Sequence, residues 1–369
     1  MLLLRVIQAK FGDCLIVKYG NPEKPKYILI DGGPGGVYPN YLRPELEKIR
    51  ATGGELELMI LSHVDGDHIV GLIEFTEEML EQQADEVEPL IPVKSFWLNS
   101  FTNTIGRGNA LTQSVLSLFS RVQNIQSTMP EGNLAYQSIS QGNTLLRNAH
   151  ILGIPVNEVV NQDVITLNSL PRAIKMDSLR LTIVGPNQEN LDKLKEEWED
   201  WIRKNEAKIM MSEPEVLSAL DKSVPNLSSI MFLLESGGKS ILFTGDGRGD
   251  FIIEGLRKAG LSDNNGCLHV NVFKVPHHGS IRNTSEKFFL NVTADKYIIS
   301  ADGRHNNPDY DTLKWIVEGA KAQKRKIELI CTNETDSIKK LTKKHPPHEF
   351  GYEVTILDRQ ATTFDIPLI

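Results

Sequence analysis

Between positions 63 and 68 the chain sets His63, Asp65, Asp67 and His68 around Gly66, four potential metal donors in six residues. Imidazole nitrogen and carboxylate oxygen both bind divalent transition metals, and a strand that ends in a glycine-loosened turn can aim several such groups at one place. Two further clusters carry the same chemistry. Asp246 lies in Gly245-Asp-Gly247, and His277-His278 lie in Pro276-His-His-Gly-Ser280. Asp302 and His305, in Ala301-Asp-Gly-Arg-His305, stand in reserve. Five of the nine histidines fall in these settings, while His150, His269, His345 and His348 do not. Seven or eight donors exceed what one tetrahedral ion accepts, so the pattern points to two divalent ions, zinc or manganese. In such a site the ions sit about 3.5–4 Å apart and acidify a bridging water into a hydroxide nucleophile. Asp246 is the expected bridge. His63 and Asp65 would hold one ion, and Asp67 and His68 the other, aided by a histidine of the 277–278 pair. Asp67, Asp246 and His278 are expected to act at the reacting centre, and Asp31 to orient ligands from behind.

Each cluster follows a predicted strand. The apolar run Leu56–Leu61 delivers the first, Ser240–Thr244 the second and Val270–Val275 the third, while Tyr297–Ser300 precedes Asp302. Strand ends gathered on one sheet edge are where α/β proteins place active sites. Strands are also expected at 2–8, 14–19, 27–30, 94–99, 179–184, 230–235, 328–331 and 353–357. Helical spacing appears at 38–51, 73–84, 110–122, 191–211, 250–259, 285–292 and 311–321. Four glycines in Asp31-Gly-Gly-Pro-Gly-Gly36 imply close backbone approach to something, although the pattern is neither of the standard nucleotide-cradling loops. Region 76–221 is the least regular and is expected to be a largely helical insertion covering the active-site edge of one 1–369 domain. Trp198 and Trp201 there read as a packing stripe.

The chain has 369 residues, 40% hydrophobic and 24% charged, which describes an ordinary globular protein. No apolar run approaches the roughly 20 residues of a membrane span, and the N-terminus lacks a secretory pattern, so a cytoplasmic location without membrane association is expected. Three distant cysteines form no disulfide framework. The net charge of −8 argues against broad nucleic-acid coating. It leaves room for a local basic strip at Lys321–Lys326 or Lys339–His345, with nucleic acid as the partner. Oligomeric state is left open.

The motifs His63-Val-Asp-Gly-Asp-His68, Thr244-Gly-Asp246 and Lys274-Val-Pro-His-His-Gly-Ser280 resemble the metallo-β-lactamase superfamily, in particular the hydrolase-like C-terminal domain of competence DNA-uptake channels. Phe11-Gly-Asp-Cys-Leu15, Ile30-Asp-Gly-Gly33 and Asn226-Leu-Ser-Ser229 match as well. The resemblance spans 1–75 and 222–310. It implies an αββα sandwich of two mixed sheets flanked by helices, a dinuclear metal centre and hydrolysis. Asp65 stands where the wider superfamily has histidine, as in the competence-type subgroup, and Asn226 stands near the superfamily's intermediate histidine ligand. His305 is a loose match to its last histidine. The leading functional expectation is therefore a phosphodiesterase or nuclease, with Ser280, Arg282 and the lysine runs as phosphate contacts. The alternatives are a small-molecule ester, lactone or thioester hydrolase, acting on a small-molecule substrate, and a catalytically degenerate partner-binding module.

Overall fold

The computed structural model describes residues 1–100, 104, 134–161, 164–170, 173–189, 191–192, 196, 228–358 and 360–369, with side chains of the helix that starts at Leu134 described from Gln141 onward. The helices expected at 110–122 and 191–211, the two tryptophans of the latter and Asn226 lie outside the described residues.

Two mixed sheets lie face to face. The first contains β1 (Leu2–Ile7), β2 (Leu15–Asn21), β3 (Lys24–Ile30), β4 (Leu56–Ile60), β5 (Phe96–Trp97) and β14 (Thr363–Pro367), in the order β14-β1-β2-β3-β4-β5. The second contains β6 (Ile174–Met176), β7 (Leu179–Gly185), β8 (Met231–Ser236), β9 (Lys239–Phe243), β10 (Leu268–Lys274), β11 (Val292–Ile299), β12 (Ile327–Cys331) and β13 (Tyr352–Ile356), in the order β13-β12-β11-β10-β9-β8-β7-β6. β9 through β13 run parallel, and β6 through β9 pair antiparallel.

Side-chain alternation along the strands divides the apolar residues into three layers. Leu4, Val17, Ile28, Leu58 and Ile60 of the first sheet meet Phe232, Leu234, Ile241, Val272, Ile298 and Ile330 of the second in the central layer. Neighbours of opposite parity, such as Ile16, Leu29, Met59 and Leu61, face α1 (Arg43–Ala51), α2 (Gly66–Ala84) and α3 (Leu134–Ile151). On the far side Leu233, Phe273, Tyr297, Leu329 and Cys331 face α4 (Gly249–Lys258), α5 (Glu286–Asn291), α6 (Tyr310–Ala322) and α7 (Asp336–Lys344). The result is a four-layer αββα sandwich, the architecture that the sequence resemblance implies. Each fully buried Leu, Ile or Phe contributes about 1.5–3 kcal/mol to holding these layers together.

Within 76–221, β5 extends the first sheet, β6 and β7 complete the second, and α3 packs along α2, where Asn148 Nδ2 donates to Thr76 Oγ1 at 3.1 Å. β6 and β14, short strands at the two sheet margins, were not anticipated from sequence. The second lysine run, which fits a solvated helix face as well as a phosphate-binding strip, lies on α7, a short amphipathic helix that buries Ile338 and Leu341. A further short helix, α8 (Pro347–Phe350), leads into β13. Among the described residues, no helix is long and apolar enough to cross a membrane.

One boundary differs from expectation with a consequence for the site. α2 begins at Gly66, not near Ile73, so Asp67 and His68 occupy a helical first turn and not a loose loop. Asp65 is the N-cap, and its carbonyl accepts from the amides of His68 and Ile69 at 2.9 Å. A helix starting here fixes the relative directions of Asp65, Asp67 and His68 far better than a glycine turn would. The helix is held against the loop after β3 by close backbone contact. A Cβ on Gly71 would lie 2.0 Å from the Gly32 carbonyl oxygen, and Gly32 N donates to His68 O at 2.8 Å. The glycine-rich loop 31–36 therefore serves backbone packing against α2, which accounts for its composition without a bound phosphate.

Candidate metal centre

The exits of β4, β9 and β10 converge at one end of the sandwich and bring His63, Asp65, Asp67, His68, Asp246, His277 and His278 together. Asp246 is central. Its Oδ1 lies 3.5 Å from His68 Nε2 and 3.7 Å from His278 Nε2, while its Oδ2 lies 3.6 Å from His63 Nε2 and 3.5 Å from His277 Nε2. Asp65 Oδ2 joins the second group, 3.5 Å from His63 Nε2. Asp67 Oδ2 joins the first, 3.8 Å from His68 Nε2 and 3.1 Å from His278 Nε2. The donors thus fall into two sets that share one carboxylate.

Every histidine of the group is anchored through Nδ1. His68 Nδ1 donates to Asp31 Oδ2 at 2.8 Å, and His278 Nδ1 to the Ser300 carbonyl at 2.9 Å. His277 Nδ1 meets Asn283 Oδ1 at 2.6 Å, an amide orientation fixed because Asn283 Nδ2 donates to the Asp246 carbonyl at 2.7 Å. His63 Nδ1 meets Ser62 Oγ at 3.0 Å, and that hydroxyl spends its own proton on Asp31 Oδ2 at 2.8 Å. Four acceptors behind the rings assign the proton to Nδ1 each time, so all four Nε2 lone pairs turn inward. Asp31, held at φ +58°, also accepts from Ser62 N at 2.7 Å and so ties β3 to the β4 exit.

Burial separates a floor from a mouth. His63, His68, His278 and Asp246 are at most 3% exposed, whereas the side chains of Asp65, Asp67 and His277 are 28%, 24% and 27% exposed. Among the described residues, His63 Nε2, His68 Nε2, His278 Nε2 and Asp246 Oδ1 are buried without a hydrogen-bond partner. Inward-facing buried donor atoms left unpaired are costly in an ordinary core, and four of them gathered at one point fit a cation site. The hard and borderline donor set of imidazole and carboxylate suits zinc or manganese.

Electrostatics fit the same reading. Burial alone would raise the Asp67 carboxyl, but the neighbouring His68 and His278 rings hold it well below the usual carboxylate range. Burial opposes ionisation of Asp246 as well, and His277, His278, His63 and His68 outweigh it, so its pKa is also strongly lowered. Burial would lower His68, yet Asp67, Asp31 and Asp246 keep it well above the ordinary imidazole value. His278 is raised against burial by Asp246, Asp13 and Asp67, with Lys274 opposing.

Two expected reserves do not join the group. His305 is exposed and turns its ring edge to Phe11, centroids 6.4 Å apart, and Asp302 Oδ1 accepts from Arg304 N at 2.9 Å to close a local turn. Both follow β11, whose exit contributes the Ser300 carbonyl to the site and then turns away. Ser280 is buried beside the histidine pair, where its Oγ accepts from Arg282 N at 3.4 Å, and Arg282 is exposed. Arg304, which sequence reading passed over, lies 3.9 Å above the Phe11 ring next to His305. Asp13, Ser62, Lys274, Asn283 and Ser300 also border the ligands unpredicted. Asp13 and Lys274 do fall inside the quoted motifs, but nothing in a one-dimensional pattern shows that they meet. Asp13 offers a donor atom within 4.8 Å of those of His68, Asp246 and His278. Its contacts are nevertheless with the Nδ1 edges of the rings, 3.9 Å to His68 and 3.6 Å to His278, which places it behind the ligands and not among them.

No family model matches the chain, and no curated protein does. Solved structures give distant likenesses. A diphosphatase of the PhnP family aligns with TM-score 0.40 and 10% identity, over 100% of this chain and 98% of that one. Zn(2+)-bound PqqB from Methylobacterium extorquens aligns with TM-score 0.39 and 9% identity, over 99% of this chain and 100% of that one. A β-lactamase domain protein from Burkholderia ambifaria aligns with TM-score 0.30 and 9% identity, over 69% of this chain and 61% of that one. The fold assignment rests on the sheets and their layers, independently of these alignments.

Proposed function

We propose that the protein is a metallo-β-lactamase-type hydrolase with two divalent ions, zinc or manganese, acting on phosphodiester bonds of nucleic acid or nucleotides. The observation that carries this is the division of Asp246 between two ligand sets whose four imidazoles all present Nε2. His63, Asp65 and His277 would hold one ion with Asp246 Oδ2, and Asp67, His68 and His278 the other with Asp246 Oδ1. Bound divalent ions supply the charge that neutralises a phosphodiester and the acidity that makes water nucleophilic at neutral pH.

The chain's own groups do the rest. Asp67 and Asp246 stay ionised, so they keep the negative charge that a dication pair requires. The Nδ1 anchors prevent ring rotation, which preserves alignment through turnover. Asp65, Asp67 and His277 line the open side, where a substrate enters. The carboxylate at Asp65 makes the site richer in oxygen donors than a histidine would, which favours manganese alongside zinc and supports phosphoryl chemistry over acyl chemistry. Arg282 and Arg304 would serve as phosphate contacts, and α3 packs near the start of α2, with Gly142 on Val64.

Purified protein loaded with manganese or zinc should cleave bis-p-nitrophenyl phosphate or single-stranded DNA faster than a p-nitrophenyl ester. Asp67→Ala and Asp246→Ala should each abolish that activity and leave the fold intact by circular dichroism. An absence of phosphodiester cleavage with either metal would overturn the substrate class, and wild-type turnover in either variant would overturn the ligand assignment.

A further inference from the structure

Behind the ligands lies a buried ion pair that the hydrolytic reading does not use. Lys274, the last residue of β10, is 1% exposed, and its Nζ sits 2.6 Å from Asp13 Oδ2 while also donating to the Val275 carbonyl at 3.0 Å. Asp13 is likewise 1% exposed and lies in the β1–β2 connection. The pair therefore joins the two sheets. Its position relative to the histidines is specific. Asp13 Oδ2 lies 3.9 Å from His68 Nδ1, and Oδ1 lies 3.6 Å from His278 Nδ1. Oδ1 is buried with no hydrogen-bond partner among the described residues. Asp13 N donates to the Asp67 carbonyl at 3.3 Å, so the same residue touches the backbone of a third ligand.

A lysine and an aspartate taken together out of water offset their desolvation only partly by mutual attraction, and an apolar pair of similar size often stabilises a fold equally well. Sheet stitching alone is a weak reason for this arrangement. Both Nδ1–H groups already have acceptors in Asp31 and Ser300, so Asp13 adds a negative field along two N–H bonds that point away from the ions. Such outer carboxylates fix ring orientation and raise the basicity of the coordinating nitrogen.

We propose that Asp13, held by Lys274, is a positioning residue for one ion of the pair, the one bound by Asp67, His68, His278 and Asp246 Oδ1. The other ion, on His63, Asp65 and His277, is served by Ser62 and Asn283 and does not depend on it. This inference rests on the dinuclear reading above.

The test is metal content and affinity, measured by elemental analysis after dialysis against a weak chelator and by absorption of the cobalt(II)-substituted protein. Wild type should retain two equivalents. Asp13→Ala should bind one of them 10–100-fold more weakly, the range typical for removing such a partner, and should change only part of the cobalt spectrum. Lys274 is left unpaired in that variant, so Asp13→Ala/Lys274→Met is made as well. Removing both charges should preserve the melting temperature of the metal-free protein while the selective metal loss persists. Wild-type affinity for both ions in the double variant, or equal weakening of both ions, would overturn the proposal and leave the pair as a stitch between sheets. A wild-type protein that takes up no transition metal would overturn the dinuclear reading and this inference together.

Discussion

Gly12 tests whether the β1–β2 loop sets the position of Asp67. A methyl group at residue 12 would stand 1.9 Å from the Asp67 carbonyl oxygen and 2.7 Å from Pro34 Cδ. Ordinary contact begins at 3.4 Å, so Gly12→Ala requires the loop and the first turn of α2 to part by about 1.5 Å. Neither side yields easily. Gly32 N and Asp13 N both bond to backbone carbonyls of that turn, and the Gly12 carbonyl accepts from Ser300 Oγ at 2.5 Å. Overpacking of this kind costs about 1–3 kcal/mol of stability. Asp67 Oδ2 is 3.1 Å from His278 Nε2, and misplacing a reacting group by about 1 Å costs about 100-fold in rate. Gly12→Ala should therefore lower turnover of bis-p-nitrophenyl phosphate about 100-fold at saturating manganese and lower the melting temperature by a few degrees. Turnover within twofold of wild type at an unchanged melting temperature would refute the coupling between this loop and Asp67.

Metal-free protein should show a stability window set by the ligands themselves. The raised pKa of His68 and His278 adds stability that is complete below about pH 6.5 and disappears as pH rises through the folded-state values. The lowered pKa of Asp67 and Asp246 adds stability present above about pH 4 and lost on further acidification. Thermal melts of chelator-treated protein should accordingly peak between those limits, and metal affinity should fall as pH drops and protons compete for Nε2. A metal-free melting temperature that climbs steadily from pH 6 to 9 would contradict this. Thiol titration of the native protein at pH 8 should count one reactive cysteine, Cys267, and three after unfolding. Burial, with Asp31 and Asp13 nearby, pushes the Cys14 thiol well up, and burial pushes Cys331 to about 12. If α7 contributes to polynucleotide binding, Lys339→Glu/Lys343→Glu should raise KM for single-stranded DNA severalfold and leave bis-p-nitrophenyl phosphate unaffected. An equal effect on both substrates would place α7 outside substrate recognition.

The strands that carry ligands were legible because their apolar runs are confined by sheets on one side and helices on the other, as Leu56–Leu61 and Val270–Val275 illustrate. The start of α2 was not. Its first residues, Gly66-Asp-His68, have poor helix propensity, and the helix forms there because tertiary contacts with Gly32 and Gly33 hold it. α3 was hidden for a related reason. Its Gln-, Ser- and Asn-rich sequence reads as loop, yet Leu145, Asn148 and Ala149 supply a buried face. The lysine run at 339–344 was ambiguous in sequence. In the fold Lys339 pairs with Glu334 at 3.5 Å, and Lys340 Nζ lies 4.0 Å from the Tyr310 ring centroid. Residue type marked the imidazoles and carboxylates that the fold gathers at Asp246, but not the groups that stand behind them. Asn283, Ser62 and Asp13 are ordinary polar residues whose roles arise from what the topology sets beside them.

The turn after β10 puts His277 at φ +49° and His278 at φ +53°, and Asp31 sits at φ +58°. Side chains other than glycine sit in this region at about 1–2 kcal/mol per residue. Glycine at either histidine would relax the backbone while deleting a donor. A screen that rewards heat resistance alone should therefore drift toward substitutions in this turn and return sturdier molecules with an emptied centre. Selection for turnover and selection for thermal endurance pull in opposite directions at these positions, which makes the turn a place to measure how much rigidity the chain forgoes to keep its chemistry.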